Sequence, residues 1–336
     1  MLVSAVPDPS VFDANYFDNF YMVNAEDFLK GIEKNGLLIV DTGKRLQDAL
    51  IKQIRSVPTK YGQRLQILLE ELLKNKKKRI VNWHVTPNSI PSGDLLDLAY
   101  HLKTEIEPDA LIVGDDSLQT LKSDQKYEAS IIPLSDYRNS DFERDRQRYE
   151  NQVGPIDKLP KKEVDDLIIR AVRFSKRLGF YDPYIENVNS NPKPFQKGIE
   201  YILSLWHDNG LFSRQKDICN VEIYTCCAEQ IWDNETNHAK ENKRTRNQDS
   251  HRKVIRELIE PLKNKYPDWQ IKLSVKDDPD GIFHARYLET QHAIIRVDKG
   301  FDLFTQNGEF QRNFFTLNMA ESSHLRECRD LQDADL

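Results

Sequence analysis

Apolar and polar residues recur along the chain with two periods, and the changes between them mark the elements. Residues 24–36, NAEDFLKGIEKNG, have apolar positions at helical spacing, with Asn24 as the expected N-cap and Gly36 as the stop. The run LLIV at 37–40 is apolar throughout, as expected of a strand buried on both faces. KRLQDALIKQIRSV (44–57) sets Leu46, Leu50 and Ile54 on one helical face. A second helix follows in YGQRLQILLEELLKNKKK (61–78), then a short strand in RIVNW (79–83). A helix over 93–106, opened by Gly93 and Asp94, leads to strands at 109–113 (DALIV) and 129–134 (ASIIPL). Alternation of strands and helices predicts a parallel α/β sheet.

The stretch from Ser140 to Pro160 is polar and charged, ends in Pro155 and Pro160, and reads as a connection with helix around FERDRQRYE. Beyond it, 161–180 is expected as one amphipathic helix, followed by the apolar YDPYI (181–185). A helix (194–210), a strand (221–227), a basic polar loop (234–247), a helix (251–266), a strand (269–275) and strand-like pieces around FHARYLET and AIIRVDK complete the pattern. The expected fold class is α/β in two domains, residues 1–150 and 163–336, joined by a linker at 151–162.

Composition narrows the classes. The 336 residues carry 48 Lys plus Arg against 54 Asp plus Glu, a net charge of −6, which excludes a uniformly basic nucleic-acid binder but leaves room for a local basic groove. No apolar run approaches a membrane span, and MLVSAVPDPSVFDANYF lacks the basic start of a secretory signal. The four cysteines, Cys219, Cys226, Cys227 and Cys328, have no paired spacing, so a reducing cytoplasm is the expected location. Cys226 and Cys227 follow an apolar strand and read as small core residues; His101, His207 and His238 have no metal-ligand spacing.

Carboxylates supply the candidate chemistry. Asp41 ends the buried run LLIV, and Asp115 and Asp116 follow LIVG; ligands of parallel sheets bind outside the carboxyl ends of strands. Asp94 opens a helix with Asp97 one turn on, and Glu70 and Glu71 lie on the 61–78 helix. Clustered carboxylates call for a cation, and hard Mg²⁺ or Mn²⁺ takes oxygen ligands. Each position also has a structural alternative: an N-cap for Asp94, a turn for a strand-end Asp, a solvated helix face for the glutamates.

In this order the motifs LLIVDTG, EELL and GDLLDLAYHLKTEIEPDALIVGDDSL resemble the PIN-like nucleases over residues 37–120. That resemblance implies a PIN-like fold, with Asp41, Glu71, Asp94 and Asp115 as Mg²⁺ or Mn²⁺ ligands, and Glu70, Asp97 and Asp116 as near-register alternatives. Thr42-Gly43 stands where the family carries a polar neighbour and an apolar helix start, and Lys44-Arg45 opens the next helix.

In the second half His284 and Arg286 sit two apart, which on a strand puts both on one face, as a phosphate site or as an ion-pair cluster with Asp298 or Asp302. Residues 178–304, through YDPYI, HARYLET and DKGFDLF, resemble the phospholipase D-like domain at the C-terminus of MIT-domain proteins. Arg286 replaces that family's motif lysine and only one motif is present, which implies a domain that binds phosphate or dimerises without hydrolysis. The basic knot Lys76, Lys77, Lys78 and Arg79 is either a phosphate contact or a solvated helix end, and Lys240, Lys243, Arg244 and Arg246 in the polar loop are either a nucleic-acid clamp or a disordered insertion.

Three functions remain in view. One is a metal-dependent endonuclease acting on RNA or DNA; its domain pairing resembles bacterial defence and toxin effectors. The second is a non-catalytic protein that binds nucleic acid or a regulatory partner. In any of them, a single phospholipase D-like domain implies a homodimer through the C-terminal domain. The third is a metal-independent phosphodiesterase using His284.

Overall fold

The computed structural model describes residues 2–16, 18–57, 59–74, 78–85, 94–150, 153–186, 192–214, 218–232, 234–317 and 322–336. The chain divides into two compact units, Met1–Asn151 and Gln152–Leu336. Among the described residues no helix is long and apolar enough to cross a membrane.

The first unit is a five-stranded parallel sheet flanked by helices. Its strands are β1 (Val3–Pro7), β2 (Gly36–Asp41), β3 (Ile80–Trp83), β4 (Ala110–Val113) and β5 (Ile131–Pro133), in the order β3-β2-β1-β4-β5. Every strand residue of β1, β2 and β4 is buried, which explains the unbroken apolar runs LLIV of β2 and ALIV of β4. Among the described residues six α-helices connect or cover them: α1 (Asn19–Asn35), α2 (Arg45–Ser56), α3 (Thr59–Leu73), α4 (Leu95–Ile106), α5 (Asp115–Ser123) and α6 (Asp141–Arg148).

Three local expectations change. The central strand β1 was not foreseen, because Pro7 and Pro9 interrupt its pattern; Pro7 stands at the strand's last position, opposite Ile112. Asn24 is not an N-cap: α1 begins a turn and a half earlier, where Asp18 accepts from the Tyr21 amide at 2.7 Å. The stretch after Ser140 is integral to the unit. Ser140 caps α6, and buried Arg146 donates to Glu143 at 2.7 and 2.8 Å and to Asn35 at 2.9 Å. Tyr137 donates to the same Glu143 at 2.6 Å. A buried, mutually satisfied ion pair reads in sequence as polar linker because nothing in composition reports pairing.

The second unit holds a six-stranded mixed sheet, β11-β10-β9-β6-β7-β8. Strands β6 (Arg177–Tyr181), β7 (Asn220–Cys226) and β8 (Gln270–Lys276) are parallel, whereas β9 (Tyr287–Glu289), β10 (Ile294–Val297) and β11 (Phe315–Leu317) pair antiparallel. Helices α7 (Lys161–Val172), α8 (Pro192–Asn209), α9 (Leu211–Arg214), α10 (Asn237–Val254), α11 (Glu260–Lys265) and α12 (Ser322–Asp330) complete it. Residues expected to lengthen α7 form β6 instead, since hydrogen-bonding partners on both sides outweigh helical spacing. The expected linker also belongs here: Val153 bridges Phe315, and the Ile156 amide donates to Asn313 O at 2.9 Å.

The basic loop at 234–247 is mostly helix. Thr236 caps α10, and Arg246 reaches Glu229 at 2.6 Å through both Nε and Nη2. A π-helical stretch, Ile255–Ile259, joins α10 to α11 just ahead of Pro261, which lacks the N–H that a regular ladder needs.

Candidate active site

In the first sheet the strand order reverses at β1: β2 pairs on one side and β4 on the other. Chain segments leaving β1 and β4 therefore bound a crevice at the carboxyl end of the sheet, the usual ligand position in doubly wound folds. Asp8 follows β1, and Gly114-Asp115-Asp116-Ser117 follows β4. The Asp8 amide donates to Ile112 O at 2.8 Å, tying the two segments together.

Asp8 is 3% exposed. Its Oδ2 accepts from the Ser10 hydroxyl and from Ser117 Oγ at 2.8 Å, and the two hydroxyls lie 2.8 Å apart. Gly114 permits this closure, because a Cβ there would stand 2.8 Å from both Ser10 O and Ser10 Oγ. Burial pushes the Asp8 carboxyl above its ordinary range; the hydroxyls pull it back only in part, and the charge of Asp94 pushes it further up. Among the described residues no cationic side chain forms an ion pair with Asp8.

The neighbouring acids are held more loosely. Asp94 is exposed and caps α4, accepting from the Leu96 amide at 2.8 Å. Half-buried Asp115 accepts from Ser135 Oγ at 2.7 Å, and wholly buried Asn24 donates to Ser135 O at 2.9 Å. Asp116 is exposed in the first turn of α5. Among the described residues, no three His, Cys, Asp or Glu side chains are grouped as a ready metal-binding set.

The other expected ligands have local partners. Asp41 is 1% exposed, and its oxygens accept from the Leu46 amide at 2.9 Å and the Arg45 amide at 3.2 Å, with Arg45 Nε at 3.5 Å. It holds the start of α2, two strand spacings (roughly 10 Å) from the end of β4. Glu70 and Glu71 are exposed on α3 and pair with Gln66 and Lys74 of the same helix region. Asp97 pairs with Lys126 at 3.3 Å. Arg79, expected as a phosphate contact, is 1% exposed and donates to the carbonyls of Glu33 and Lys34 at the end of α1; burial lowers its pKa to about 10. Lys78 is exposed, and Lys76 and Lys77 lie outside the described residues.

In the second unit His284 and Arg286 precede β9 rather than lying on it, yet both line one cavity of about 190 Å³ with Arg296, Asp298, His324, Ala285 and Tyr287. Arg286 donates to the main-chain oxygen of Asp298 at 3.1 Å, and its guanidinium lies 4.5 Å from the centre of the Tyr184 ring. The ion pair of Asp298 is with Arg296, at 3.5 Å, and not with Arg286. Nearby Asp182 is 1% exposed, and burial pushes its carboxyl up to about 6. All four cysteines are free; burial pushes the thiols of Cys227 and Cys328 up to about 12 and that of Cys226 higher still, which makes them poor nucleophiles.

Asp8, Ser10 and Ser117 of the candidate crevice, and Arg296 and His324 of the cavity in the second unit, are residues that sequence reasoning did not single out. The run VSAVP followed by Asp8 is the same signal that singled out LLIV and Asp41, hidden by two prolines. His324 had no local signal, because only the packing of α12 brings it to the cavity. No protein-family model, no curated protein and no solved structure matches this chain.

Proposed function

We propose that the first unit is a divalent-metal-dependent nuclease, a hydrolase of RNA or DNA phosphodiester bonds, centred on Asp8 and completed by Asp94 and Asp115. This keeps the PIN-like resemblance but moves its first acidic strand from LLIVD to VSAVPD. Asp8 carries the proposal. It is a buried carboxylate at the strand-order reversal, held by hydroxyls, without a cationic partner among the described residues and repelled by a second carboxylate. An all-oxygen donor set suits Mg²⁺ or Mn²⁺ and excludes the soft-ligand metals. Such an ion, when bound, supplies positive charge to the phosphoryl oxygens and acidifies a water ligand.

The protein's own groups have separable tasks. Ser10 and Ser117 hold the Asp8 carboxylate in one orientation. Ser135, buttressed by Asn24, fixes one oxygen of Asp115. Asp94 brings the second charge from the start of α4. The test is cleavage of end-labelled RNA and DNA by the full chain with Mn²⁺ and with EDTA. Chelator-sensitive cleavage lost in Asp8→Asn supports the proposal. Absence of cleavage, together with an unfolding midpoint that Mn²⁺ leaves unchanged, refutes it.

A further inference from the structure

The second sheet ends on one side in a seven-residue strand, β8, whose outer edge is only partly covered. In a parallel pair, alternate residues turn both amide and carbonyl toward the neighbouring strand. The Gln270 amide donates to Cys219 O at 2.9 Å, and Lys276 O accepts from the Cys227 amide at 3.0 Å, so the even-numbered residues of β8 face β7. Ile271, Leu273 and Val275 therefore turn their main-chain groups outward.

Residues 332–334 cover one end of that edge. The Ala334 amide donates to Val275 O and the Asp277 amide to Gln332 O, both at 2.9 Å, on either side of an antiparallel bridge between Lys276 and Asp333. Lys276 is 6% exposed and donates to Asp333 Oδ1 at 2.8 Å and to Leu331 O at 3.0 Å. Ser274 Oγ donates to the same carboxylate oxygen at 3.4 Å. The pairing goes no further. Among the described residues, the amides of Ile271, Leu273 and Val275 and the carbonyls of Ile271 and Leu273 have no main-chain partner on the outer side.

An edge with unspent main-chain groups is a template for another chain. The segment already seated on it shows what the edge selects. Lysine on an edge ordinarily discourages an added strand; Lys276 instead holds one, because that strand brings a carboxylate. Continued toward Gln270 in the same antiparallel register, an added strand sets the residue two past Asp333 opposite Ser274, and the residue four past opposite exposed Lys272. The first of these is Asp335, and Arg244 of α10 lies 3.9 Å from its carboxylate, a third cation beside this strip. The intervening positions fall on the face of buried Ile271 and Val275, which favours apolar side chains there. The matching partner is thus an extended segment with acidic residues at alternate positions. Residues 332–334 hold on by two main-chain bonds and the Lys276 clasp, whereas a strand along the whole of β8 also satisfies Ile271 and Leu273.

We propose that the outer edge of β8 is a docking site for an extended acidic segment of a partner protein, which pairs antiparallel in the register of residues 332–334 and displaces them. The proposal is independent of the nuclease assignment, since it uses no residue of the first unit.

The test is fluorescence anisotropy of the full chain with a labelled peptide carrying aspartate at alternate positions and valine between them. One control peptide has lysine for aspartate, and another has the aspartates in a single block. Amide exchange locates the site. The alternating acidic peptide is expected to bind at least tenfold tighter than either control and to protect the Ile271 and Leu273 amides. Lys272→Glu, at an exposed position, weakens binding about fivefold. Asp333→Asn, whose side chain is 78% exposed, loosens the resident segment and tightens binding about threefold. Equal affinity for a control peptide, unaltered affinity in both variants, no binding to the wild-type chain or to Asp333→Asn, or binding that leaves those two amides unprotected overturns the proposal. Protection of the same amides that rises with protein concentration, without peptide, assigns the edge to a second copy of the chain and overturns it also.

Discussion

Both sheets carry a buried aspartate just past their first strand, Asp8 after β1 and Asp182 after β6, and the two are built alike up to the side chain. Each backbone amide donates across to the neighbouring parallel strand, Asp8 to Ile112 O at 2.8 Å and Asp182 to Tyr224 O at 3.0 Å. Each is nearly inaccessible, 3% and 1% exposed, and burial raises both carboxyls. They part company in their partners. Asp8 is held by two hydroxyls, which can rotate toward a new ligand, besides the Ser10 main chain, and its charged neighbour is another acid. Asp182 accepts from the fixed amides of Tyr184 at 3.1 Å and Phe301 at 3.2 Å, with the Arg286 charge acting in its favour. Gly300, at φ +76, closes over it so tightly that any Cβ would strike Asp182 Oδ2. On the proposed reading the same strand-end position serves binding in one sheet and loop architecture in the other, because rotatable donors leave part of a carboxylate available and the fixed amides around Asp182 do not.

The largest effect that separates them is on cleavage. Asp8→Asn is expected to reduce Mn²⁺-dependent cleavage by about a thousandfold, roughly 4 kcal/mol of barrier, whereas Asp182→Asn leaves it within about twofold. The same pair predicts opposite responses to metal in thermal melts: Mn²⁺ raises the midpoint of the wild-type chain and of Asp182→Asn, and does not raise that of Asp8→Asn. Equal loss of cleavage in both variants would erase the distinction.

The next effect is on stability against pH. Burial raises the Asp182 carboxyl to about 6 in the fold, from an ordinary value of 3.8, so the folded state binds the proton more tightly than the unfolded chain. Protonated Asp182 therefore favours the fold. Its contribution is complete below pH 4 and is lost as pH rises through 6, a decline of about 3 kcal/mol. Trp206 and Trp269 lie in this unit and report its unfolding in denaturant. The expected result is a wild-type minus Asp182→Asn difference that grows more unfavourable to the wild type between pH 4 and 6.5 and is flat above it. A difference that does not vary over that window contradicts the assignment.

The parallel sheet of the first unit was legible because LLIV and ALIV are uninterrupted apolar runs, and every one of their residues is buried. The strand that matters most, β1, was not, because a proline at its end resembles a turn until a neighbouring strand is seen to need no donor there. Asp94 and Asp115 were found where a helix starts and a strand ends, since those positions follow from local pattern. Asp41 obeys the same local rule and yet serves α2, a difference set by which strand is neighbour to which. Periodicity says where a chain is helical or extended; it does not number the strands across a sheet. For the same reason Arg79 looked like part of a basic surface and is instead buried beneath the end of α1.

The smaller effects sharpen the contrast between acids that look equivalent in sequence. Asp41→Ala removes the acceptor for two amides at the start of α2, as loss of a helix cap does, and is expected to destabilise the first unit by about 1–2 kcal/mol. Cleavage per folded molecule stays unchanged, which separates a structural Asp41 from the ligand that the sequence pattern expected. A hundredfold loss of cleavage without loss of stability would restore Asp41 to the metal site. Glu71→Gln is expected to do still less. Its side chain is half exposed and pairs with Lys74 one turn away on the surface. Such a pair contributes about 0–1 kcal/mol, and the change should move neither the denaturation midpoint nor the rate at saturating Mn²⁺. A rate reduced tenfold, with the fold intact, would mean that α3 contributes to the acidic crevice after all.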